Sequence, residues 1–207
     1  MAQKPQYGER RKLISAARRA MRHLPAGLPP ALFLTDPKRT PDPLPVAEQL
    51  PQGWGIIYRH YGAADRAWQA TQLVEIANRR GLDLLIAADP KLAMQVGAAG
   101  VHWPFAQLAT ARKWRTRFKL MTVSAHGGRE LRRLDANTFD AALVSAVFPS
   151  NSPSASSPLG AHTLRALSGH TPLPLYALGG LNAQTASSIS NAAGLAAIEG
   201  IVDAFER

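Results

Sequence analysis

The sequence contains no cysteine, which excludes disulfide bonds and thiolate catalysis. It also has no run near the ~20 apolar residues that a membrane-spanning helix requires. The basic N-terminus lacks the apolar segment of a secretory signal, which leaves a surface helix or an organellar transit peptide as its interpretation. No recognisable nucleic-acid-binding motif is present, and aromatic residues are not interleaved with the basic ones. Nucleic acid is therefore not expected as a partner, and a cytoplasmic location is expected.

The composition is sufficient for one folded domain. The chain has 207 residues, of which 46% are hydrophobic, and this length suits a single core. The formal net charge is +10, which is also compatible with a protein that handles phosphate groups.

Much of the positive charge lies in residues 1–24, which we expect to form a basic N-terminal helix ahead of a domain over residues 25–207. An apolar stripe at helical spacing accompanies the basic residues, and a helix of this kind can close one end of a barrel. The basic residues are Lys4, Arg10, Arg11, Lys12, Arg18, Arg19 and Arg22, and the apolar stripe is Leu13, Ala16, Ala17, Ala20, Met21 and Leu24.

Eight short apolar runs follow, and helical segments separate them. Continuous apolar runs are typical of strands buried on both faces, and strands joined by crossover helices form parallel sheets. This rhythm predicts an α/β fold but leaves open whether the sheet is doubly wound or closed. The runs are 31–35, 55–59, 83–87, 100–102, 120–124, 141–145, 175–178 and 195–198, and helices are predicted over 66–80, 90–96, 106–115, 129–134, 161–167 and 183–191.

Glycines follow the seventh and eighth runs, where parallel α/β folds carry their binding residues. Gly179 and Gly180 come after the seventh run, and Glu199 and Gly200 come after the eighth. Glycine lets backbone N–H groups approach a phosphate closely. Gly179, Gly180 and Gly200 therefore predict a phosphate site, with a plain tight turn as the alternative.

Three further residues end their runs with side chains that could contact a ligand. His126 can transfer protons near neutral pH, or it can cap a helix or satisfy a buried carbonyl. Arg59 favours an anionic ligand, or it can form an ion pair. His102 is expected to be structural.

Carboxylates are scarce at the ends of the runs. Asp36, Asp89 and Glu199 are the candidates, and no two of them belong to one motif. Magnesium bound with a diphosphate requires one or two carboxylates at such positions. No metal and no other cofactor is therefore expected.

Several segments resemble, in order, the family of thiamine phosphate synthases and thiazole tautomerases (TenI). The resemblance covers residues 31–202 and implies a (β/α)8 TIM barrel of thiamine biosynthesis. It also implies a phosphorylated thiazole or thiamine phosphate as small-molecule ligand, and it leaves a homo-oligomer open. The matching segments are Leu34-Thr35-Asp36-Pro37, Gly100-Val101-His102, Val123-Ser124-Ala125-His126, Ala146-Val147-Phe148-Pro149-Ser150-Asn151-Ser152, Leu159-Gly160, Ala177-Leu178-Gly179-Gly180-Leu181 and Gly194-Leu195-Ala196-Ala197-Ile198.

The resemblance assigns roles to side chains at matching positions. His126 stands where the tautomerase branch has its histidine, which implies catalysis. Arg59 is retained from the arginine of the second strand, and Ser124, Ser150 and Ser152 keep hydroxyl groups at the ligand.

Other positions depart from the synthase pattern. The two aspartates that hold magnesium are replaced by Ala88 and Gln107, and the lysine of the sixth loop is replaced by Pro153. Diphosphate departure develops negative charge that these groups would stabilise. Glu199 replaces a small residue, and it would repel a phosphate if it faced one.

Three functional hypotheses remain from the sequence. The first is a tautomerase-like enzyme or divergent synthase that acts on a phosphorylated thiazole. The second is a catalytically degenerate barrel that binds a phosphate ligand or regulates. The third is a basic accessory protein whose N-terminal helix docks a partner or an anionic surface. A His126 at the mouth of the barrel would favour the first, and a His126 bonded away from the mouth would favour the second.

Overall fold

The computed structural model describes residues 4–150 and 157–206, and the strands within them form a closed barrel. Each strand pairs in parallel with the next along the chain, and the last strand pairs with the first. The predicted α/β class and TIM barrel are confirmed. The strands are β1 Ala31–Leu34, β2 Gly55–Tyr58, β3 Asp83–Ala87, β4 Gly100–Trp103, β5 Leu120–Ala125, β6 Ala141–Val144, β7 Leu175–Ala177 and β8 Gly194–Ala197.

Strand side chains alternate between the interior of the barrel and the layer under the helices. In β1, Leu32 and Leu34 belong to an interior cluster, whereas Phe33 packs in a second cluster with residues of the helices. Both faces are therefore covered, which explains why the strands read as continuous apolar runs. The interior cluster consists of Leu32, Leu34, Ile57, Leu85, Ala87, Leu120, Ala141, Leu143, Tyr176 and Ala196.

Helices lie outside the strands, and some are shorter than predicted. The segment 106–115 holds a 3₁₀ turn, Phe105–Gln107, before a short α-helix, and the segment 183–191 holds only the 3₁₀ turn Ala186–Ser188. Within the described ranges, no helix is long and apolar enough to cross a membrane. The helices are α1 Lys4–Ala20, α2 Leu44–Ala47, α3 Arg66–Arg80, α4 Pro90–Val96, α5 Leu108–Arg112, α6 Gly128–Leu131, α7 Gly160–Ser168 and α8 Glu199–Phe205.

The basic helix α1 lies against the side wall of the barrel. It contacts α8, β8 and the 3₁₀ turn Ala186–Ser188. Leu13, Ala16 and Ala17 are each only 1% exposed, so these residues of the apolar stripe face the core, whereas Met21 of the same stripe is 56% exposed. The contacts with α8 and β8 place α1 on the wall, whereas Leu24, at the end of the basic segment, packs against the interior cluster of the barrel. Because the connection from β7 to β8 supplies only a 3₁₀ turn, α1 covers that part of the wall instead.

Some of the arginines of α1 attach the helix to its neighbours. Arg10 donates a hydrogen bond to the carbonyl of Gln49, and its guanidinium lies 5.0 Å from the centre of the Phe205 ring. Arg19 donates from Nε to the hydroxyl of Ser190 over 3.1 Å. Part of the basic excess therefore holds the fold together.

Candidate functional site

A cavity of about 340 Å³ opens at the carboxyl ends of the strands, and we call it the mouth cavity. It brings together the predicted residues Arg59, Ser124, His126, Ser150, Gly179, Gly180 and Gly200. Ser152 lies outside the described residues. Ser145, at the end of the sixth apolar run, lines the mouth cavity as well. Sequence reasoning did not propose Arg39, Asn182 or Asp203, which also line the mouth cavity.

Arg59 reaches the mouth cavity from the end of β2 and is fixed by the end of β1. Its Nε donates to the carbonyl of Thr35 over 3.0 Å, and its Nη2 donates to Oδ2 of Asp36 over 3.3 Å. Burial lowers the pKa of Arg59, although a guanidinium remains protonated at neutral pH. Arg59 therefore forms an ion pair, which is one of the two sequence interpretations, and it also lines the cavity; a contact with an anionic ligand stays a prediction.

Asp36 connects Arg59 to Arg39, which lies in the loop after β1. The guanidinium of Arg39 donates to Asp36 over 2.9 Å, and the backbone N–H groups of Lys38 and Arg39 also donate to this carboxylate. Burial alone would raise the pKa of Asp36, but these hydrogen bonds outweigh it and hold the pKa at about 2. Asp36 is therefore ionised at neutral pH and organises two cations at the mouth.

His102 lies inside the barrel beneath Ser124. Its Nδ1 is 2.9 Å from the hydroxyl of Thr122, and its Nε2 is 2.9 Å from the hydroxyl of Ser124. Burial, together with the smaller effect of the Arg59 charge, lowers the pKa of His102 to about 3. The imidazole is therefore neutral, and the geometry fits the structural role expected for it.

His126 follows β5, and its side chain is exposed at the mouth cavity. Its Nδ1 lies 3.3 Å from the hydroxyl of Ser145, the residue after β6. Its backbone N–H donates to Glu130 over 2.8 Å, so the turn into α6 is held by the backbone and not by the imidazole. The ring is consequently available to a ligand in the cavity.

The turn Gly179-Gly180 packs closely against the segment after β6. Both residues are in the left-handed region, with φ of 92° and 62°. A Cβ on Gly180 would lie 2.2 Å from the carbonyl oxygen of Pro149, and one on Gly200 would lie 2.3 Å from that of Leu181. Close packing therefore explains why glycine is required there, and the backbone of these turns lines the cavity.

Glu199 and Asp203 form an acidic side of the mouth cavity on α8. Oε1 of Glu199 is 3.9 Å from Nη1 of Arg39, and the Glu199 side chain is 52% exposed. Burial raises the pKa of Asp203, and the charges of Glu9, Glu199 and Glu206 raise it further. The cavity therefore contains carboxylates as well as the guanidinium groups that an anion would contact.

A magnesium–diphosphate site does not fit the residues at the ends of β3 and β4. Ala88 and Gln107 offer no carboxylate. Asp89 is engaged, since it accepts from the backbone N–H of Leu92 over 3.0 Å and from the guanidinium of Arg66 over 3.0 Å. In the described part of the chain, no group of three His, Cys, Asp or Glu residues could hold a metal ion.

A family model described as thiamine monophosphate synthase matches residues 32–201 of the chain. The thiamine-phosphate synthase of Chloroflexus aurantiacus is 30% identical over 155 residues, which are 72% of this chain and 72% of that protein. That of Alcanivorax borkumensis is 30% identical over 169 residues, or 77% of each. The structure of thiamine phosphate pyrophosphorylase from Pyrococcus furiosus aligns with a TM-score of 0.72 at 17% identity, covering 86% of this chain and 94% of that one, which supports the fold alone.

Proposed function

The chain belongs to the thiamine monophosphate synthase family, and on that basis we propose that it binds a phosphorylated thiazole and tautomerises it. The ligand that it binds is thiazole phosphate or thiamine phosphate, and only a thiazole phosphate tautomer can be converted, since the ring of thiamine phosphate is already aromatic. The observation that carries the proposal is that His126, Arg59 and the Gly179-Gly180 turn line one cavity. A proton-transfer group, a cation and backbone donors are thereby combined at one ligand site.

The phosphate of the ligand is held by the last two turns of the barrel. Backbone N–H groups around Gly179, Gly180 and Gly200 line the cavity, and such groups bind phosphate without a metal. Arg59 adds charge that is already oriented by Thr35. The hydroxyl groups of Ser124 and Ser150, which line the cavity, add polar contacts to the ligand.

His126 moves the proton. Conversion of an exocyclic double bond to an aromatic thiazole requires transfer of one proton between the ring and the exocyclic carbon. An imidazole can accept and return that proton near neutral pH. The contact of 3.3 Å between Nδ1 and Ser145 is long for a hydrogen bond, and such contacts shorten when substrate binds.

This reaction proceeds without magnesium in our proposal. Tautomerisation releases no diphosphate, so it does not develop the charge that a metal would neutralise. Asp89 is already neutralised by Arg66 at 3.0 Å, and Ala88 and Gln107 cannot replace the missing carboxylates.

The experiment is turnover of a thiazole phosphate tautomer, followed by the absorbance of the aromatic product. His126→Gln should lower the rate by ~10²–10⁴, the usual contribution of general acid–base catalysis. Ligand affinity should stay within about threefold, since the phosphate contacts are unchanged. His170→Gln is the matched control, because His170 bonds to Ala166 and does not line the mouth cavity.

A binding barrel without turnover is the second candidate. The loss of the synthase carboxylates at Ala88 and Gln107 favours it, because the chain then lacks groups of the family's chemistry while the Gly179-Gly180 turn still lines the cavity. Tight binding of thiazole phosphate with no conversion by the unmodified protein would establish this alternative. Equal turnover by His126→Gln and the unmodified protein would assign His126 a structural role.

A further inference from the structure

The mouth cavity has a cationic side and an acidic side. Arg39 and Arg59 line it from the loops after β1 and β2, and Glu199 and Asp203 line it from α8. The neighbouring residues 151–156 lie outside the described part, but their sequence, Asn-Ser-Pro-Ser-Ala-Ser, contains no charged side chain. Among the described residues that line the cavity, these four carry the charged side chains, and the imidazole of His126 lies beside them.

Asp36 reduces the net positive charge of the cationic side. Its Oδ2 lies 2.9 Å from Nη2 of Arg39 and 3.3 Å from Nη2 of Arg59, so both guanidinium groups share one carboxylate. The two guanidinium groups of Arg39 and Arg59 are thus accompanied by three carboxylates. These belong to Asp36, Glu199 and Asp203. A site built to neutralise a highly charged anion would have the opposite balance.

Arg39 and Glu199 approach each other across the mouth. The 3.9 Å between Nη1 and Oε1 is at the outer limit of an ion pair, and the side chains are 23% and 52% exposed. A pair of this kind is weak, so the Glu199 side chain can turn at small cost, whereas Arg39 is also held by Asp36 at 2.9 Å. An anion against the Gly179-Gly180 turn would be attracted by Arg39 and repelled by Glu199.

Resting on the proposed function, we propose that Glu199, paired with Arg39, determines the ligand class: the mouth cavity takes a ligand with a single phosphate and rejects a diphosphate. A phosphomonoester carries about −1.5 to −2 charges at neutral pH, and a diphosphate carries more. Repulsion by Glu199 increases with the charge of the ligand, whereas Arg39 and Arg59 are already partly neutralised by Asp36. The discrimination therefore acts most strongly against the more highly charged anion.

The experiment compares inorganic phosphate with inorganic pyrophosphate, titrated without divalent cations at constant ionic strength and followed by phosphorus NMR. The unmodified protein should bind phosphate more tightly than pyrophosphate. Glu199→Gln should increase the affinity for pyrophosphate about fivefold and that for phosphate about twofold, because a charge interaction at a partly exposed site contributes up to about 1 kcal/mol. Arg39→Gln should weaken both anions. Glu75→Gln is the matched control, since Glu75 is exposed on α3, outside the cavity.

A preference of the unmodified protein for pyrophosphate would overturn the proposal. An unchanged ratio of the two affinities in both Glu199→Gln and Glu199→Ala would also overturn it, provided that both variants keep the unfolding free energy of the parent. If the ratio does not shift but thiazole phosphate is converted, the charge discrimination fails and the proposed function stands. If the ratio of the phosphate and pyrophosphate affinities shifts but no thiazole phosphate binds, the proposed function fails, and the discrimination between anions by Glu199 stands.

Discussion

The Nε2 atom of His102 lies 2.9 Å from the hydroxyl oxygen of Ser124, so a buried ring inside the barrel holds a hydroxyl of the mouth cavity. The other ring nitrogen is 2.9 Å from the hydroxyl of Thr122. A neutral imidazole has one donor and one acceptor nitrogen, so the two hydroxyl groups must take complementary roles. His102 thereby orients Ser124 without contacting the cavity itself.

The neutral state of His102 predicts a pH dependence of stability. Burial and the charge of Arg59 lower the pKa of His102 from 6.5 to about 3, so the unfolded chain binds more protons between these values. The stabilising contribution is present above pH ~6.5 and is lost as the pH falls towards ~3. Over that window, the unfolding free energy should fall by up to about 5 kcal/mol more in the parent than in His102→Gln. Urea titrations at several pH values measure both slopes, and identical slopes would contradict a neutral buried ring.

Ala88, directly after β3, has a backbone conformation that alanine rarely adopts. Its φ is 55°, in the left-handed region, where a Cβ costs ~1–2 kcal/mol. Ala88→Gly should therefore raise the unfolding free energy by ~0.5–1 kcal/mol after the entropy cost of glycine. Ala87→Gly is the control, because Ala87 is buried within β3 and should lose stability. Equal losses at both positions in urea unfolding would contradict this prediction.

The strands could be predicted from the sequence because each is buried on both faces, which leaves a continuous apolar run. The end of α3 could be predicted for a local reason, since Gly81 has a φ of 66° and stops the helix after Arg80. The predicted helix over 183–191 is mostly wrong because Asn182 competes with it. The Oδ1 of Asn182 accepts from the backbone N–H groups of Gln184 and Thr185, which favours a turn over a longer helix.

The acidic and cationic sides of the mouth cavity could be predicted only in part. Arg39 carried a usable local signal, because it lies three residues after Asp36 and both belong to one turn. No local sequence signal indicated the orientation of Glu199, because its side chain lies near Arg39, which comes from the other end of the chain. Contacts of this kind are set by closure of the barrel and not by any local pattern.

The absence of metal ligands at Ala88 and Gln107 predicts that magnesium neither binds tightly nor supports activity. Calorimetry should show no affinity tighter than millimolar, with or without pyrophosphate, because Asp89 is held by Arg66 and by the N–H of Leu92. Ala88→Asp combined with Gln107→Asp should increase magnesium affinity, since two carboxylates favour this ion. The same pair changed to asparagine adds no charge and is the control. Micromolar affinity in the parent protein would contradict the prediction.

The packing of α1 predicts that this helix is part of the core and not an appended segment. Leu13 is 1% exposed against the barrel wall, so Leu13→Ala should lower the unfolding free energy by about 2–4 kcal/mol. Arg18 is exposed on the opposite face, and Arg18→Gln should change it by no more than ~0.5 kcal/mol. Urea unfolding of both variants gives the comparison.

Because α1 packs against the barrel wall, the hypothesis that α1 docks a partner or an anionic surface must be tested without removing the helix. Deletion of residues 1–24 would uncover β8 and α8, so any loss of function would reflect lost stability. Arg11, Arg18 and Arg22 are exposed, and replacing all three with glutamine removes the charge without uncovering the core. If α1 serves only the fold, this triple variant should keep both the stability and the thiazole phosphate turnover of the parent. A Leu13→Ala variant as stable as the parent, combined with a triple variant that loses activity, would instead favour the accessory role of the basic helix.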